Sequence, residues 1–395
     1  MTEWLDVLAW DAADPLGLAR QKFLLPEGVI YLDGNSLGPL SRHAAARVER
    51  VTLGEWGEGL IRSWGDAGWM DAPARIGGKI ARLIGATADE VIVADSTSVN
   101  LFKALAAAVT LRPGRRKILL EGGNFPTDRH VADGLARLLP DRVVQVAQGR
   151  HLASAIDQDT AAVMVCHVHY QSGARHDMAM ITAMARHAGA LTVWDLSHSV
   201  GAVAVELDAH GADFAVGCGY KFLNGGPGAP AFIYVARRHQ AVAQSPVQGW
   251  MGHADPFGFS DVYAPAGGMG RFLSGTPGIL GLAALEAGVD GVLSVAADAL
   301  WAKSARMFDL FAARAALLCP GLEVLTPLAA GARGSHISLR CARASEVMAA
   351  LIARGVIGDF RPPDILRFGL TPMYTSYGEI WRAVDALAEV LAEIG

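Results

Sequence analysis

Phe214-Ala215-Val216-Gly217-Cys218-Gly219-Tyr220-Lys221-Phe222-Leu223-Asn224-Gly225-Gly226-Pro227-Gly228 runs from an apolar segment into a glycine-rich turn, with a lysine between two aromatic residues at the junction. Residues 214–217 carry no polar side chain, as expected of a strand buried on both faces in a parallel sheet covered by helices. A lysine just past such a strand stands at the carboxyl edge of the sheet, where α/β proteins bind ligands. The glycines behind it let the backbone approach a bulky ligand closely. An isolated loop lysine is ordinarily a solvated one. Flanked by Tyr220 and Phe222, this one is expected in a partly desolvated place, and a desolvated lysine amine can condense with a carbonyl.

The same pattern repeats outward from this point. Apolar runs at 91–94, 117–120, 142–146, 161–168, 191–194 and 231–235 alternate with helical patterns. Ser98 is expected to cap a helix through Leu101, Leu105 and Val109, Thr127 one through Val131 and Leu135, and Asp177 one through Ile181, Met184 and Ala188. Repeated strand–helix units imply an α/β domain with a mostly parallel sheet and helices on both sides. Beyond Pro277 the character changes: an Ala/Leu-rich helical segment over 279–318, strands at 322–325 and 336–339, a helix over 344–354, a break at Pro362-Pro363, and a last helix from Tyr377. The expected division is a large domain over 51–276 and a smaller α+β domain formed by 1–50 and 277–395.

Composition narrows the function classes. The 395 residues are 52% hydrophobic with a net charge of −5, enough for a large core and without the basic runs that mark nucleic-acid or anionic-membrane partners. Residues 1–20 hold Glu3, Asp6, Asp11 and Asp14 and lack a basic-then-apolar signal pattern. No stretch approaches the ~18 uninterrupted apolar residues of a membrane helix. Cys166, Cys218, Cys319 and Cys341 lie far apart with no CxxC, as in reduced core cysteines of a cytoplasmic protein.

Other residues add chemistry to Lys221. Asp195, in Trp194-Asp195-Leu196-Ser197-His198, ends an apolar run and so emerges at the same edge. A lone aspartate at a strand end is most often a turn or cap residue. Beside a carbonyl-binding lysine, however, a carboxylate suits a pyridinium nitrogen, which it keeps protonated. His198 can hydrogen-bond Asp195 or a cofactor. Asp95-Ser96-Thr97-Ser98-Val99-Asn100 opens a helix after a strand and serves equally as a plain cap or as a phosphate site. Asn124-Phe125-Pro126-Thr127-Asp128 repeats that arrangement with an aromatic ring and a second carboxylate.

Three patterns point elsewhere and carry less. Gly34-Asn35-Ser36-Leu37-Gly38 fits the G-x-S-x-G of a hydrolase elbow, but Pro39 follows at once and no helix signal comes after. His167-Val168-His169 places two rings on one side of a strand, without an obvious third metal ligand. No phosphate loop of the G-x-x-x-x-G-K type and no dinucleotide fingerprint is present.

Taken in order and spacing, Tyr31-Leu32-Asp33-Gly34-Asn35-Ser36-Leu37-Gly38-Pro39, Phe125-Pro126-Thr127-Asp128, Trp194-Asp195-Leu196-Ser197-His198 and Tyr220 to Gly228 resemble the kynureninases, which are fold-type I pyridoxal-phosphate enzymes. The resemblance runs from about Tyr31 into the C-terminal helix, and the lysine stretch is its most specific part. It implies pyridoxal 5′-phosphate as cofactor, Lys221 as the Schiff-base lysine and Asp195 as partner of the ring nitrogen. Thr97, Ser98 and Tyr220 would hold the phosphate, and Phe125 would stack on the ring with Thr127, Asp128 and His198 nearby. Trp250 and Thr276 resemble phosphate contacts supplied by the neighbouring subunit, which implies a homodimer with shared sites. Asn35, Ser36, Trp64 and Arg367 resemble substrate contacts, Arg367 gripping an α-carboxylate with a bidentate guanidinium. Animal kynureninases carry Ser-Asn where this chain has Gly275-Thr276, and a histidine in the region of Trp64. The pattern here is bacterial and favours L-kynurenine over its 3-hydroxy form.

The implied reaction is hydrolytic cleavage of L-kynurenine between Cβ and Cγ to anthranilate and L-alanine, a step of tryptophan catabolism. Lys221, Tyr220 and Asp195 are the expected catalytic residues, with Tyr220 as proton donor and acceptor. The main alternative is another fold-type I enzyme, an aminotransferase or a cysteine desulfurase. A desulfurase needs a nucleophilic cysteine on a mobile loop, which none of the four cysteines matches. A ligand-sensing protein on the same scaffold would need an output module, and no helix-turn-helix or basic arm is present. The elbow and the lysine readings separate cleanly. Ser36→Ala is expected to retain turnover and Lys221→Ala to abolish it, measured as product release, and the reverse result would restore the serine-hydrolase reading.

Overall fold

The computed structural model describes residues 2–394 and centres on a seven-stranded sheet. In chain order its strands are β1 (Val91–Ala94), β2 (Lys117–Gly122), β3 (Val143–Gln148), β4 (Thr160–Cys166), β5 (Leu191–Asp195), β6 (Phe214–Gly217) and β7 (Ala231–Val235). They pair in the order β1-β7-β6-β5-β4-β2-β3. All run parallel except β7, which is antiparallel to both neighbours. These are the apolar runs of the sequence, with ends displaced by at most two residues.

Their composition follows from burial on both faces. Val163, Val165 and Trp194 enter one core cluster, while Ala162, Met164 and Val193 enter the other. Successive side chains point to opposite faces, so a strand covered on both sides must be apolar at every position.

Two helix starts differ from the sequence expectation. The first helix after β1 spans Thr97–Thr110, and its N-cap is Ser96, not Ser98; Ser96 Oγ accepts from Val99 N at 3.4 Å. Asp95 adopts a left-handed φ of 44°, which turns the chain early and places Thr97 and Ser98 in the first helical turn. The helix after β2 spans Pro126–Leu138 and is entered from Phe125, not from Thr127; Pro126 takes the first helical position, where its fixed φ suits the helix and its missing N–H is not needed. Asp177 caps Met178–Ala188 as expected, accepting from Met180 N at 2.9 Å.

The segment 279–318 is two helices, Ile279–Leu293 and Ala297–Leu318, bent by 83°. Ser294 Oγ donates to Gly291 O at 2.6 Å, a local bond that competes with helix continuation. The first helix adds Leu282, Leu285 and Val289 to one face of the large sheet. The second packs Phe308 and Phe311 with the helices Trp4–Ala12, Ala344–Ala353 and Tyr377–Ile394 into a separate core. That core also covers a four-stranded antiparallel sheet of β8 (Glu323–Val324), β9 (His336–Arg340), β10 (Asp359–Arg361) and β11 (Ile365–Gly369), in the order β10-β11-β9-β8. Among the described residues no single helix is long and apolar enough to cross a membrane.

One close approach bears on Lys221. Gly288, in the helix Ile279–Leu293, lies so near the turn after Lys221 that a Cβ there would sit 2.2 Å from Leu223 O and 2.8 Å from backbone atoms of Asn224. Gly288→Ala is therefore expected to lower stability by about 1–3 kcal/mol through overpacking. Gly291→Ala in the same helix meets nothing within 4 Å and is expected to be neutral or to stabilise by up to about 1 kcal/mol through helix propensity. Thermal unfolding midpoints of the two variants check the contrast.

Candidate active site

Parallel strands deliver their carboxyl ends to one edge, and the sequence-selected residues collect there. Asp195 is the last residue of β5, and its Oδ1 accepts from Ser197 N at 2.8 Å and Ser197 Oγ at 2.6 Å. Both bonds fall on one oxygen, which fixes the carboxylate and leaves Oδ2 to a ligand. Lys221 follows β6 in the turn, with Nζ 3.0 Å from His198 Nε2 and 5.8 Å from the centroid of the Tyr220 ring. Burial first, then the positive charges of Lys221 and Arg367, hold His198 well below the usual histidine range. Its ring is neutral at physiological pH, and its Nδ1 is buried without a partner. Burial raises the Tyr220 phenol above its ordinary value, so Tyr220 keeps its proton at neutral pH and can donate it.

Lys221, Tyr220, Asp195 and His198 line one cavity with Thr97, Ser98, Phe125, Thr127 and Asp128. Thr97 and Ser98 bring hydroxyls and the first N–H groups of a 14-residue helix, a ready anion site. Phe125 is half exposed and meets Tyr170 edge-on at 5.3 Å. Asp128 is 1% exposed and its Oδ2 has no partner. Burial, and then the Asp195 charge, push Asp128 well above the ordinary carboxylate range. A buried acid with an open oxygen, a second fixed carboxylate, an amine and a helix N-terminus fit a flat heteroaromatic ring bearing a nitrogen at one end and a phosphate at the other.

Ser197, Cys166 and Tyr170 also line this cavity and were not singled out as site residues. Ser197 is legible as the residue two after Asp195, in position for a local turn bond. Cys166 ends β4, with Sγ 3.1 Å from Asn124 Oδ1. The four cysteines are all buried and free. His167 meets Trp194 edge-on at 6.0 Å and His169 Nε2 contacts Gly123 O at 2.6 Å. Among the described residues no group of three or more His, Cys, Asp or Glu is placed to hold a metal ion.

The remaining sequence-selected residues lie elsewhere. Trp64 packs edge-on against Trp69 at 5.7 Å, outside the Lys221 cavity. Thr276 lines a separate surface pocket with Asp95 and Gly228, and Trp250 lies half exposed in another with Phe259 and Tyr263. Residues 33–36 form a tight turn, with Ser36 N donating to Asp33 O at 2.9 Å, and no elbow helix follows. Gly38 N donates to Tyr220 O at 2.8 Å, which seats this segment on the lysine turn. Asn35 is wholly buried with both amide atoms unpartnered. Ser36 Oγ belongs to an ion cluster: it donates to Asp359 Oδ2 at 2.8 Å and accepts from Arg367 Nη2 at 2.8 Å.

Arg367 departs from the expected open fork. Its Nε donates to Asp359 Oδ1 at 2.9 Å, its Nη2 also bonds Asp359 Oδ2, and its Nη1 donates to Tyr170 O at 2.6 Å. The two-pronged pairing expected for a ligand carboxylate is made by the chain's own Asp359. The alternation Asp359-Phe360-Arg361 on a strand places Asp359 and Arg361 on one face, so both charged side chains meet Ser36.

Among known families, residues 300–387 match the one described as the kynureninase C-terminal domain. A kynureninase of Deinococcus radiodurans is 53% identical over 393 residues, covering 98% of this chain and 96% of that protein. A kynureninase of Pseudomonas fluorescens is 48% identical over 399 residues, covering 99% and 96%. Among solved structures, an apo cysteine desulfurase from Thermococcus onnurineus NA1 superposes with a TM-score of 0.81 at 18% identity, covering 100% of this chain and 99% of that one. A C-DES mutant with glycine covalently linked to its PLP cofactor superposes with a TM-score of 0.78 at 15% identity, covering 94% and 99%.

Proposed function

Because this chain belongs to the kynureninase family, we infer that it is a pyridoxal 5′-phosphate-dependent hydrolase that cleaves L-kynurenine between Cβ and Cγ, with water, to anthranilate and L-alanine. The observation that carries this reading is the convergence of Lys221, Asp195, Asp128 and the helix N-terminus at Thr97 on one cavity.

The cofactor, when bound, supplies an electron sink for the bonds at the substrate's Cα and Cβ. Lys221 is the residue that would hold it covalently. Asp195, pinned by Ser197, would keep its ring nitrogen protonated, with Asp128 beside it. Thr97, Ser98 and Tyr220 would hold the phosphate, Phe125 and Thr127 would flank the ring, and His198 would take a ring substituent. With its amine free, Lys221 Nζ would take the proton from the substrate's Cα. Neutral His198 beside it leaves the ammonium so formed without a cationic neighbour on that side. Water adds to the γ-carbonyl, and collapse of the hydrate releases the aryl acid. Tyr220, protonated at neutral pH, would return a proton to Cβ.

Trp250 and Thr276 lie apart from the cavity of their own chain, and the reading assigns them to the phosphate of a second copy; Trp64 is assigned to the substrate pocket. Leu53, Trp56, Leu60 and Ile61 near Trp64, and Phe257, Phe259 and Val262 near Trp250, are large exposed apolar side chains. Apolar surface of this extent calls for cover, and a closed two-fold dimer is the commonest way to give it. Free buried cysteines suit a cytoplasmic setting.

Purified protein given L-kynurenine is expected to release anthranilate, followed by fluorescence, and an equal amount of alanine; absence of both would overturn the assignment. Borohydride reduction is expected to fix the cofactor on Lys221, and peptide mass mapping that finds it on another lysine removes Lys221 from its role. Mixed dimers of Lys221→Ala and Trp250→Ala subunits are expected to regain part of the lost activity. No recovery in verified heterodimers counts against shared sites.

A further inference from the structure

The cluster around Ser36 joins three distant parts of the chain. Arg367 and Arg361 both donate to Asp359, Arg361 Nη2 at 2.6 Å to Oδ2, and both reach Ser36 Oγ, Arg361 at 3.2 Å. Tyr170, whose carbonyl takes Arg367 Nη1, also lines the Lys221 cavity. A guanidinium has five N–H groups. The four bonds of Arg367 leave it one, on Nη1, and a carboxylate seated on two N–H groups must find the second elsewhere. Arg361 has it: its Nε is buried without a partner, and its side chain is 29% exposed against 1% for Arg367.

The charges point the same way. Arg361 and Arg367 contribute two positive charges and Asp359 one negative, since the two arginines hold its carboxyl below the ordinary range against the effect of burial. Asp33 adjoins the cluster with Oδ1 buried and unpartnered. The charged or titratable groups facing it are Tyr31 on its own segment, Asp359 and Arg361 on β10, Arg367 on β11, and the buried phenol of Tyr374, which stays protonated. Burial, then Asp359, push Asp33 up to about 7. With Asp33 protonated the cluster has one uncompensated positive charge, which is room for one monoanion.

We propose that Arg361 is the second half of the substrate-carboxylate site, receiving the anion together with the open N–H of Arg367, while Asp359 positions the two guanidiniums and Asp33 sets the charge of the site. This rests on the reading of Arg367 as a carboxylate contact. Below about pH 7 Asp33 is neutral and the anion is accepted. Above it Asp33 adds a negative charge, the cluster becomes neutral overall, and the anion binds less well.

The test uses the holoenzyme with two probes, L-kynurenine and the amine that lacks only its α-carboxylate, with steady-state kinetics and binding read from the visible cofactor spectrum. Arg361→Gln is expected to raise KM for L-kynurenine on the order of 10- to 100-fold, the loss of one charge-assisted contact. Its kcat should change little, and its affinity for the amine should stay as in the parent. In the parent, KM for L-kynurenine rises above pH 7 by up to about tenfold per pH unit, whereas affinity for the amine lacks that dependence; Asp33→Asn removes the rise. Arg367→Lys, the control, loses discrimination between the probes. If it does so while Arg361→Gln and Arg361→Lys keep full discrimination with cofactor retained, the proposal is overturned and the reading of Arg367 stands. If Arg367→Lys also discriminates normally, both fall. An unchanged pH profile in Asp33→Asn overturns the role of Asp33.

Discussion

Everything at the site depends on strands β1, β2, β4, β5 and β6 pointing the same way. Each parallel connection returns the chain to the amino end of the sheet, so every strand ends at one edge, and the residues just past the strands meet there whatever their distance in sequence. Asp195, Cys166, Phe125, Thr97 and Lys221 are neighbours for that reason alone. The edge is also where two helices begin, Thr97–Thr110 and Pro126–Leu138, so partial positive charge accumulates beside Lys221. Two carboxyls, Asp195 and Asp128, lie beside it. Asp195 is pinned by Ser197, whereas Asp128 is stripped of solvent and driven toward its neutral form.

This geometry explains which parts of the fold could be read beforehand. A strand covered on both faces has no choice of composition, so β1 to β7 stand out as apolar runs. Helix starts are set by a competition among nearby capping residues, and at two of three positions the observed cap lies two residues earlier than expected. Asp95 bends the chain through a left-handed turn that side-chain identity does not announce, and Pro126 takes the first helical position ahead of Thr127. The bend between Ile279–Leu293 and Ala297–Leu318 hides for a related reason. Periodicity continues through it, and only Ser294 signals the stop.

Legibility at the site divides along the same line. Residues at strand ends could be placed because each strand implies an edge. Residues of the four-stranded antiparallel sheet could not, since strand pairing there joins segments across the chain: Asp359 lies opposite Arg367 in the antiparallel register of β10 and β11. The resemblance singled out Arg367 as a carboxylate-gripping arginine, but nothing in the sequence announced Asp359 as its partner or the filling of its fork. Trp64, Trp250 and Thr276 form a third class: they lie outside the Lys221 cavity of their own chain, and only the proposed dimer would give them a place at a site.

The arginine cluster is the part of the structure that stability explains least. A buried ion pair recovers little more than its desolvation penalty, and apolar residues of the same shape often do as well or better. Two guanidiniums around one ionised carboxylate are worse placed, because one positive charge has no partner when Asp33 is neutral. The cluster also leaves Arg361 Nε, Asp33 Oδ1 and both amide atoms of Asn35 buried without hydrogen bonds; each such group costs about 1–3 kcal/mol. Orphaned polar atoms and an unbalanced charge gathered at one point, adjoining the Lys221 cavity through Tyr170, are an unfavourable way to join three segments of the chain. They suit the proposed anion site, where a bound carboxylate would accept from the open N–H groups and offset the excess charge.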